Sequence, residues 1–263
     1  MIVAGCDVGS LTGKAVILND EKILSTSIIP VEIRPEDTAM NAINQALSKT
    51  GLIMEDIQYV VGTGYGRTKI PFANDNVSEI TCHGVGAYWQ VPSIRTIVDI
   101  GGQDCKVISL DSDGYVADFA MNDKCAAGTG RFLEGVARAL KLELEELGPI
   151  SLKSDNPALI STQCSVFAES EVVSLLADGV DIADIVAGIH KAIAGRLVSM
   201  VNKVGLKQDF TIAGGVSKNA GVVKFLEEGL GAIRHLPEDP QLGGALGAAL
   251  MAKEKLEKER KRK

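Results

Sequence analysis

The sequence predicts an α/β protein with two related lobes, each containing strands and helices. Two observations on the whole chain indicate this class. At 263 residues the chain is long enough to bury one large hydrophobic core or two moderate ones. Short apolar runs typical of strands alternate with longer segments that have the apolar periodicity of helices. A third observation divides the chain, because a strand–turn–strand pattern at its beginning returns before its middle.

The composition excludes several classes of protein. The chain is 46% hydrophobic, 23% charged and 4% aromatic, as in an ordinary soluble α/β protein. Its net charge of -7 disfavours a general nucleic-acid binder. The chain starts with a predicted strand instead of a leader pattern and has no apolar run long enough to cross a bilayer. We therefore expect a cytoplasmic protein that acts without membrane or nucleic acid.

The first predicted element is a hairpin. Residues 2–8 and 15–18 are apolar and flank the polar segment 9–14, which predicts two strands joined by an open polar tip. The elements expected next are a strand at 22–33, a helix from Pro35 to about Lys49, a strand at 57–61 and a helix at 81–91.

The hairpin pattern repeats when the first hairpin is shifted by 92 residues. Asp7 then falls on Asp99 and Lys14 on Lys106, with matching apolar positions around them. Two polar-tipped hairpins, each followed by further strands and helices, favour a duplicated two-lobe fold with the tips facing each other.

The second half of the chain contains a third glycine-rich turn. Residues 210–213 predict a strand that stops at Gly214 and Gly215, before a helix capped at Ser217, and backbone can approach a ligand closely there. The other elements expected in this half are a strand at 115–121, helices ending near 142, 177 and 204, a small-residue helix at 237–250 and a frayed, charged end. We place the two lobes at residues 1–94 and 95–263.

A small-residue loop leads into a helix at residues 122–134, with Thr129 or Gly128 as its cap. Cys125 lies just ahead of this helix, where the field of first-turn N–H groups would lower a thiol pKa and attract an anion. Two kinds of anion could meet there within one turn of the chain: a thiolate-ligated cluster at Cys125 and a nucleotide phosphate at Gly128 and Gly130. A buried structural cysteine before an ordinary helix cap is the alternative.

The chain has five cysteines, and this odd number favours thiols, metal ligands or redox chemistry over a disulfide framework. Cys6 and Cys105 occupy strand or hairpin positions, where small buried apolar side chains are expected. Cys82 lies in no motif that we identify. Cys164, like Cys125, precedes a predicted helix.

Three motifs resemble those of the acetate-and-sugar-kinase, heat-shock-chaperone and actin superfamily of ATPases. They are two phosphate motifs, DVGSLTGK at 7–14 and DIGGQDCK at 99–106, and an adenosine motif, IAGGVSKN at 212–219. The resemblance implies a duplicated two-lobe actin-like (ribonuclease H-like) ATPase fold, with mixed sheets and a nucleotide cleft between the lobes.

Two cysteine motifs narrow the resemblance. NDKCAAGTGRF at 122–132 and QCSVFAESE at 163–171 are similar to segments of 2-hydroxyacyl-CoA dehydratase activators and of benzoyl-CoA reductase ATPase subunits. That family implies a homodimer with one 4Fe–4S cluster, held by Cys125 and Cys164 of both subunits. It also implies ATP hydrolysis coupled to delivery of a low-potential electron. The electron would pass from a ferredoxin or flavodoxin to a 2-hydroxyacyl-CoA dehydratase or a related double-cluster reductase component.

The resemblance also implies roles for individual site residues. Asp7 would hold Mg²⁺, directly or through water, because this ion prefers carboxylate oxygen. Asp99, with Gln103 or Asp104, would orient the attacking water. The residues expected around ATP or ADP are Gly9, Ser10, Thr12, Lys14, Gly101 and Gly102 at the phosphates, Gly128 and Gly130 in the cleft, and Gly214, Gly215, Asn219 and Gln241 at the adenosine.

Two other functions fit part of the pattern. A small-molecule kinase of the same superfamily would use the same phosphate hairpins, but it would need an acceptor pocket with a base. A non-catalytic nucleotide switch or chaperone-like ATPase would leave the cysteines incidental. Neither alternative gives a reason for cysteines ahead of two helices.

Overall fold

The computed structural model describes residues 1–160, 165–235, 237 and 239–262. The predicted ligand Cys164 lies outside these described residues. The described strands are β1 (Ile2–Val8), β2 (Thr12–Asn19), β3 (Lys22–Pro30), β4 (Tyr59–Thr63), β5 (Asp75–Asn76), β6 (Thr96–Ile100), β7 (Cys105–Leu110), β8 (Val116–Asn122) and β9 (Phe210–Ala213). The helices are α1 (Pro35–Leu47), α2 (Glu79–Gln90), α3 (Gly130–Leu140), α4 (Leu147–Ser151), α5 (Ser165–Ala177), α6 (Ile182–Val204), α7 (Ala220–Leu230) and α8 (Gly243–Arg262).

The chain forms two compact units, one comprising Met1–Arg95, Leu110–Ala117 and Pro237–Lys263, the other Thr96–Ser109 and Asp118–Leu236. The division after Arg95 lies next to the boundary expected at residues 94 and 95. The terminal segment differs from the expectation, because it belongs to the first unit instead of the second. The physical reason is that α8 packs on β1, β4 and α2.

The first unit contains a five-stranded mixed sheet with the order β3-β2-β1-β4-β5. The strands β1, β2 and β3 are antiparallel neighbours, whereas β4 runs parallel to β1. Successive side chains of a strand point to opposite faces, so Val3 packs in a core with α8 and Ala4 packs in a second core with α1. The sheet is therefore covered on both faces.

The small residues of α8 allow its backbone to approach β1 closely. A Cβ atom at Gly5 would overlap the carbonyl oxygen of Ala245, and Ala245, Ala248 and Ala249 are fully buried. This helix is therefore packed tightly against the sheet. The helix continues to Arg262 in place of a frayed end. Within this charged stretch, an ion pair joins the helix to β5, with Lys255 Nζ 2.5 Å from Asp75 Oδ2.

The second unit contains a four-stranded mixed sheet with the order β8-β7-β6-β9. Strand β6 pairs antiparallel with β7 and parallel with β9. Its core joins Val98 and Val107 of the sheet to apolar faces of α3, α6 and α7, such as Leu133, Ile189 and Val222. The α/β class with two mixed sheets is thus confirmed. None of the described helices has the combined length and apolar character required to cross a membrane.

Candidate functional site

The first hairpin places an acid opposite a lysine at its polar end. In the β1–β2 ladder Asp7 faces Lys14, and Lys14 Nζ lies 3.1 Å from Asp7 Oδ2. The N–H of Gly9 donates to the carbonyl oxygen of Thr12 at 3.0 Å, which closes the tip. Ser10 lies within this tip and is partly exposed. All five predicted residues of this motif therefore cluster at one end of the first unit's sheet.

Two glycines that the sequence did not single out approach Asp7, and His83 lies beside one of them. A Cβ atom at Gly64, whose φ is +87°, would overlap Asp7 Oδ1. A Cβ atom at Gly244 would lie 3.0 Å from Asp7 Oδ2 and 3.1 Å from His83 Nε2. Backbone thus approaches the carboxylate from two sides. The available sequence signals were the GTGYG segment at 62–66, where β4 ends, and the paired glycines that open α8.

Gln241 also belongs to the first unit, where it lies in the turn before α8. Its N–H donates to Asp239 Oδ1 at 2.9 Å. The other residues predicted on the adenosine side, Gly214, Gly215 and Asn219, belong to the second unit. Gln241 at the adenosine stays a prediction.

The second hairpin reproduces the acid–lysine pair and adds an acid. Asp99 faces Lys106 in the β6–β7 ladder, as Asp7 faces Lys14 in the first. Lys106 Nζ lies 3.2 Å from Asp99 Oδ2 and 2.7 Å from Asp104 Oδ1. The predicted hairpin repeat is confirmed. Asp104 thereby joins the charged cluster, whereas Gln103 lies exposed in the connecting turn.

The glycine turn after β9 lies against Asp99. Strand β9 pairs with β6 so that Ala213 is opposite Asp99. Gly214 has a φ of +82°, which favours glycine, and its Cβ atom would overlap the Ile100 carbonyl oxygen and lie 2.9 Å from Asp99 Oδ1. Gly215 follows in a 3₁₀ turn, Gly215–Lys218. The structure therefore brings the predicted adenosine turn beside the second phosphate hairpin.

Asn219 caps α7, although the sequence suggested Ser217. Its Oδ1 accepts hydrogen bonds from the N–H groups of Gly221 at 3.0 Å and Val222 at 3.1 Å. Ser217 Oγ instead donates to the Gly214 carbonyl at 2.6 Å. A cap two residues later is favoured because the 3₁₀ turn intervenes before α7 begins.

The Asn219 amide continues into a buried polar chain. Its Nδ2 lies 3.3 Å from His190 Nε2, and His190 Nδ1 lies 2.9 Å from Ser151 Oγ. If the amide donates to Nε2, then Nδ1 carries the proton and donates to the serine. Burial lowers the pKa of His190 to about 3, so the ring is neutral at physiological pH. His190 thus fixes the residue that ends the predicted adenosine motif.

Three hydrogen bonds join the Cys125 loop to the second hairpin. The N–H groups of Gly130 and Arg131 donate to the carbonyl oxygens of Gly101 at 3.0 Å and Gly102 at 2.9 Å. Cys105 Sγ donates to the carbonyl oxygen of Gly128 at 3.2 Å. The start of α3 is consequently attached to the tip of the hairpin.

The expected lowering of the Cys125 pKa is confirmed, through hydrogen bonds that the sequence did not indicate. Two first-turn N–H groups of α3, those of Gly130 and Arg131, bind hairpin carbonyls. Arg196 Nη1 instead donates to Cys125 Sγ at 3.3 Å. Partial burial opposes thiolate formation, but hydrogen bonds from Arg196 and from the Ala127 N–H outweigh it and lower the pKa of Cys125.

The sequence did not indicate a role for Arg196, because this residue lies in the middle of α6, far from every motif. A signal was nevertheless present, since Arg196 shares a helical face with the buried Ile189, Ile193 and Met200. Charged side chains on such a face are rarely buried without a partner. Its second acceptor is the Ala127 carbonyl oxygen, at 3.1 Å from Nη1.

The other described cysteines differ from Cys125. Cys6, Cys82 and Cys105 are all buried, whereas Cys125 is partly exposed. Burial raises the pKa of Cys82 and of Cys105 to about 12 and raises that of Cys6 well above its ordinary range. The expectation that Cys6 and Cys105 are buried side chains is confirmed.

The part of the chain that the structure describes contains no group of three or more His, Cys, Asp or Glu placed to hold a metal ion. A cluster ligand set would accordingly combine Cys125 with residues outside the described ranges or with a second copy of the chain. The donor at Cys125 suits this role, because the thiolate is the form of cysteine that ligates iron and the lowered pKa of Cys125 favours that form.

The sequence matches the BadF/BadG/BcrA/BcrD ATPase family over residues 4–252. It is 46% identical over 262 residues to an activator of lactoyl-CoA dehydratase from Anaerotignum propionicum, covering 98% of this chain and 100% of that protein. It is 43% identical over 256 residues to the (R)-2-hydroxyglutaryl-CoA dehydratase activating ATPase of Acidaminococcus fermentans, covering 97% and 98%.

The structure is similar to that of the activator of 2-hydroxyisocaproyl-CoA dehydratase from Clostridium difficile, which contains bound ADPNP. The TM-score is 0.94 at 43% sequence identity, covering 100% of this chain and 98% of the other. This similarity extends over both units of the present chain.

Proposed function

Because the chain belongs to the BadF/BadG/BcrA/BcrD ATPase family, we propose that it is an ATPase that activates a 2-hydroxyacyl-CoA dehydratase by delivering a low-potential electron. A related double-cluster reductase component is the other class of acceptor. The observation that carries the proposal is the attachment of the Cys125 loop to the second phosphate hairpin. The proposed nucleotide site and the proposed thiolate ligand would thereby share one hydrogen-bonded segment.

For ATP hydrolysis we assign the two hairpins different tasks. Asp7 would hold Mg²⁺ directly or through water, with Lys14 beside it at the phosphates. Asp99, with Asp104 or Gln103, would orient a water molecule. The oxygen of this water attacks the γ-phosphorus, the bond to the bridging oxygen breaks, and ADP and phosphate are released.

The remaining nucleotide contacts of the proposal come from backbone. At the phosphates we place the hairpin residues Gly9, Ser10, Thr12, Gly101 and Gly102. Gly128 and Gly130 would line the nucleotide, and the adenosine side would use Gly214, Gly215, Asn219 and Gln241. The close approach of Gly214 to Asp99 supports this arrangement.

Cys125 and Cys164 would ligate a 4Fe–4S cluster, with the same pair from a second copy of the chain completing four thiolates. For Cys125 the support is its exposure and lowered pKa, and for Cys164 it is the QCSVFAESE motif. When bound, such a cluster supplies one-electron redox chemistry at low potential. The homodimer, a ferredoxin or flavodoxin donor and a cytoplasmic location complete the proposal.

The hairpin contacts suggest how nucleotide and cysteine are coupled. A shift of Gly101 and Gly102 on ATP binding would act on Gly130 and Arg131 through their hydrogen bonds. Cys125 lies in the same loop, five residues before Gly130, where α3 begins. Unchanged accessibility of the iron to chelator with ATP, with ADP and without nucleotide would count against this coupling.

The test combines the anaerobically reconstituted protein with a 2-hydroxyacyl-CoA dehydratase and a reductant. Dehydration should require hydrolysable ATP. Asp99→Asn should abolish both ATP hydrolysis and activation, whereas Cys125→Ala should keep hydrolysis and lose activation. Exposed Arg138→Gln is the matched control. Phosphate transfer to a small acceptor, without activation of any dehydratase, would replace the proposal with a small-molecule kinase, which the relatives support less.

A further inference from the structure

Arg196 contacts the Cys125 loop at two points with one nitrogen. Nη1 lies 3.3 Å from Cys125 Sγ and 3.1 Å from the Ala127 carbonyl oxygen. The arginine stem also lies close to Gly128, because a Cβ atom added there would be 3.7 Å from Arg196 Cδ. The guanidinium therefore lies beside the loop at Cys125, Ala127 and Gly128, although 71 positions separate Arg196 from Cys125.

The helix that carries this arginine is anchored in the core. Arg196 projects from a helix of 23 residues whose neighbouring positions Ile193 and Leu197 are buried in the core of the second unit. On the loop side, Asn122 Nδ2 donates to the Cys125 carbonyl at 3.1 Å, and Thr129 Oγ1 donates to Ala126 at 2.6 Å. The backbone on each side of this hydrogen bond is therefore held by contacts of its own.

We propose that Arg196 is a positioning residue for the iron–sulfur ligand Cys125 and that its hydrogen bond to the sulfur favours the reduced cluster. Reduction adds one negative charge, and a cationic donor at a ligand sulfur stabilises the more negative state. Hydrogen bonds to cluster sulfurs are among the factors that set reduction potential. This inference rests on the proposed role of Cys125 as a ligand. It adds Arg196 as a residue that sets the reduction potential of the cluster.

The experiment uses the iron-loaded full-length protein and compares three variants with the wild type. Arg196→Gln removes the positive charge, Arg196→Lys keeps a charge but not the planar guanidinium, and Arg138→Gln removes an exposed charge from α3 as the matched control. Iron content is measured first. The midpoint potential is then determined by titration with electron paramagnetic resonance detection.

We expect Arg196→Gln to retain iron and to lower the ratio of reduced to oxidised cluster at a fixed potential about tenfold. That change equals a midpoint about 59 mV more negative for a one-electron couple. Arg196→Lys should fall between Arg196→Gln and the wild type, and Arg138→Gln should match the wild type.

Two results would overturn the inference. One is an iron-loaded Arg196→Gln protein with the wild-type midpoint. The other, if Arg196→Gln loses its iron, is an iron-loaded Arg196→Lys protein with the wild-type midpoint. If the wild type stays free of iron after reconstitution, both the proposed ligand role of Cys125 and this inference fail. If the wild type binds iron but the variants keep its midpoint potential, this inference alone fails.

Discussion

Replacing Lys106 by methionine tests the charged cluster of the second hairpin. Its ammonium lies 3.2 Å from Asp99 Oδ2 and 2.7 Å from Asp104 Oδ1. Lys106 is 2% exposed and Asp99 3%, so bulk water has little access to the carboxylate that methionine would face. Removing one partner of a buried ion pair typically costs about 3 to 5 kcal/mol, and we expect Lys106→Met to lower the free energy of unfolding by that amount.

The first hairpin provides the matched control. Lys14 occupies the equivalent register position, but its side chain is 13% exposed, compared with 3% for Lys106. Greater access to water reduces the cost of leaving the partner carboxylate unpaired, so Lys14→Met should be less destabilising than Lys106→Met. Adding Asp99→Asn to Lys106→Met removes the uncompensated carboxylate charge. The double variant should therefore recover part of the lost stability, and the two changes should not be additive.

The measurement is urea unfolding of the nucleotide-free protein, followed by circular dichroism for the wild type and the three variants. A loss of less than about 1 kcal/mol in Lys106→Met would refute the reasoning, because ordinary surface substitutions already produce changes of that size. Equal losses in Lys106→Met and Lys14→Met would refute the role assigned to burial.

Three further predictions concern other parts of the chain. Burial lowers the pKa of His190 to about 3, so below about pH 6.5 the unfolded chain binds a proton that the folded protein excludes. As the pH falls from about 6.5 to 3, the free energy of unfolding of the wild type should decrease by up to roughly 5 kcal/mol. The decrease should be smaller for His190→Gln in the same urea titrations. Gly247→Ala should lower the melting temperature, because its Cβ atom would overlap the Cys82 carbonyl oxygen, whereas Gly195→Ala, with no atom within 4 Å, should not. In iron-free native protein, iodoacetamide should alkylate Cys125 faster than Cys82, whose pKa is raised to about 12; equal rates by peptide mass spectrometry would contradict these environments.

The two hairpins were predictable because their contacts are local. An acid and a lysine seven residues apart lie opposite each other once the hairpin between them closes, as Asp7–Lys14 and Asp99–Lys106 do. The repeat then indicates a duplicated arrangement.

Contacts between distant segments were not predictable in the same way. Arg196 reaches Cys125 from a helix that starts 57 positions further along the chain, and no local pattern pairs them. The sequence likewise does not indicate which sheet α8 packs on, because a helix rich in alanine and glycine fits against any closely approaching strand. A cap position also depends on whether a 3₁₀ turn precedes the helix, which is why Asn219 and not Ser217 caps α7.

The most direct test of the proposed function is the iron and sulfide content of the anaerobically purified protein, with its visible spectrum. Wild type should contain about four irons per two chains. Cys125→Ala should lose them, whereas Cys82→Ala, which removes a buried thiol outside every motif, should keep them. Iron-free wild type that still binds ATP, or full iron content in Cys125→Ala, would contradict the electron-transfer function.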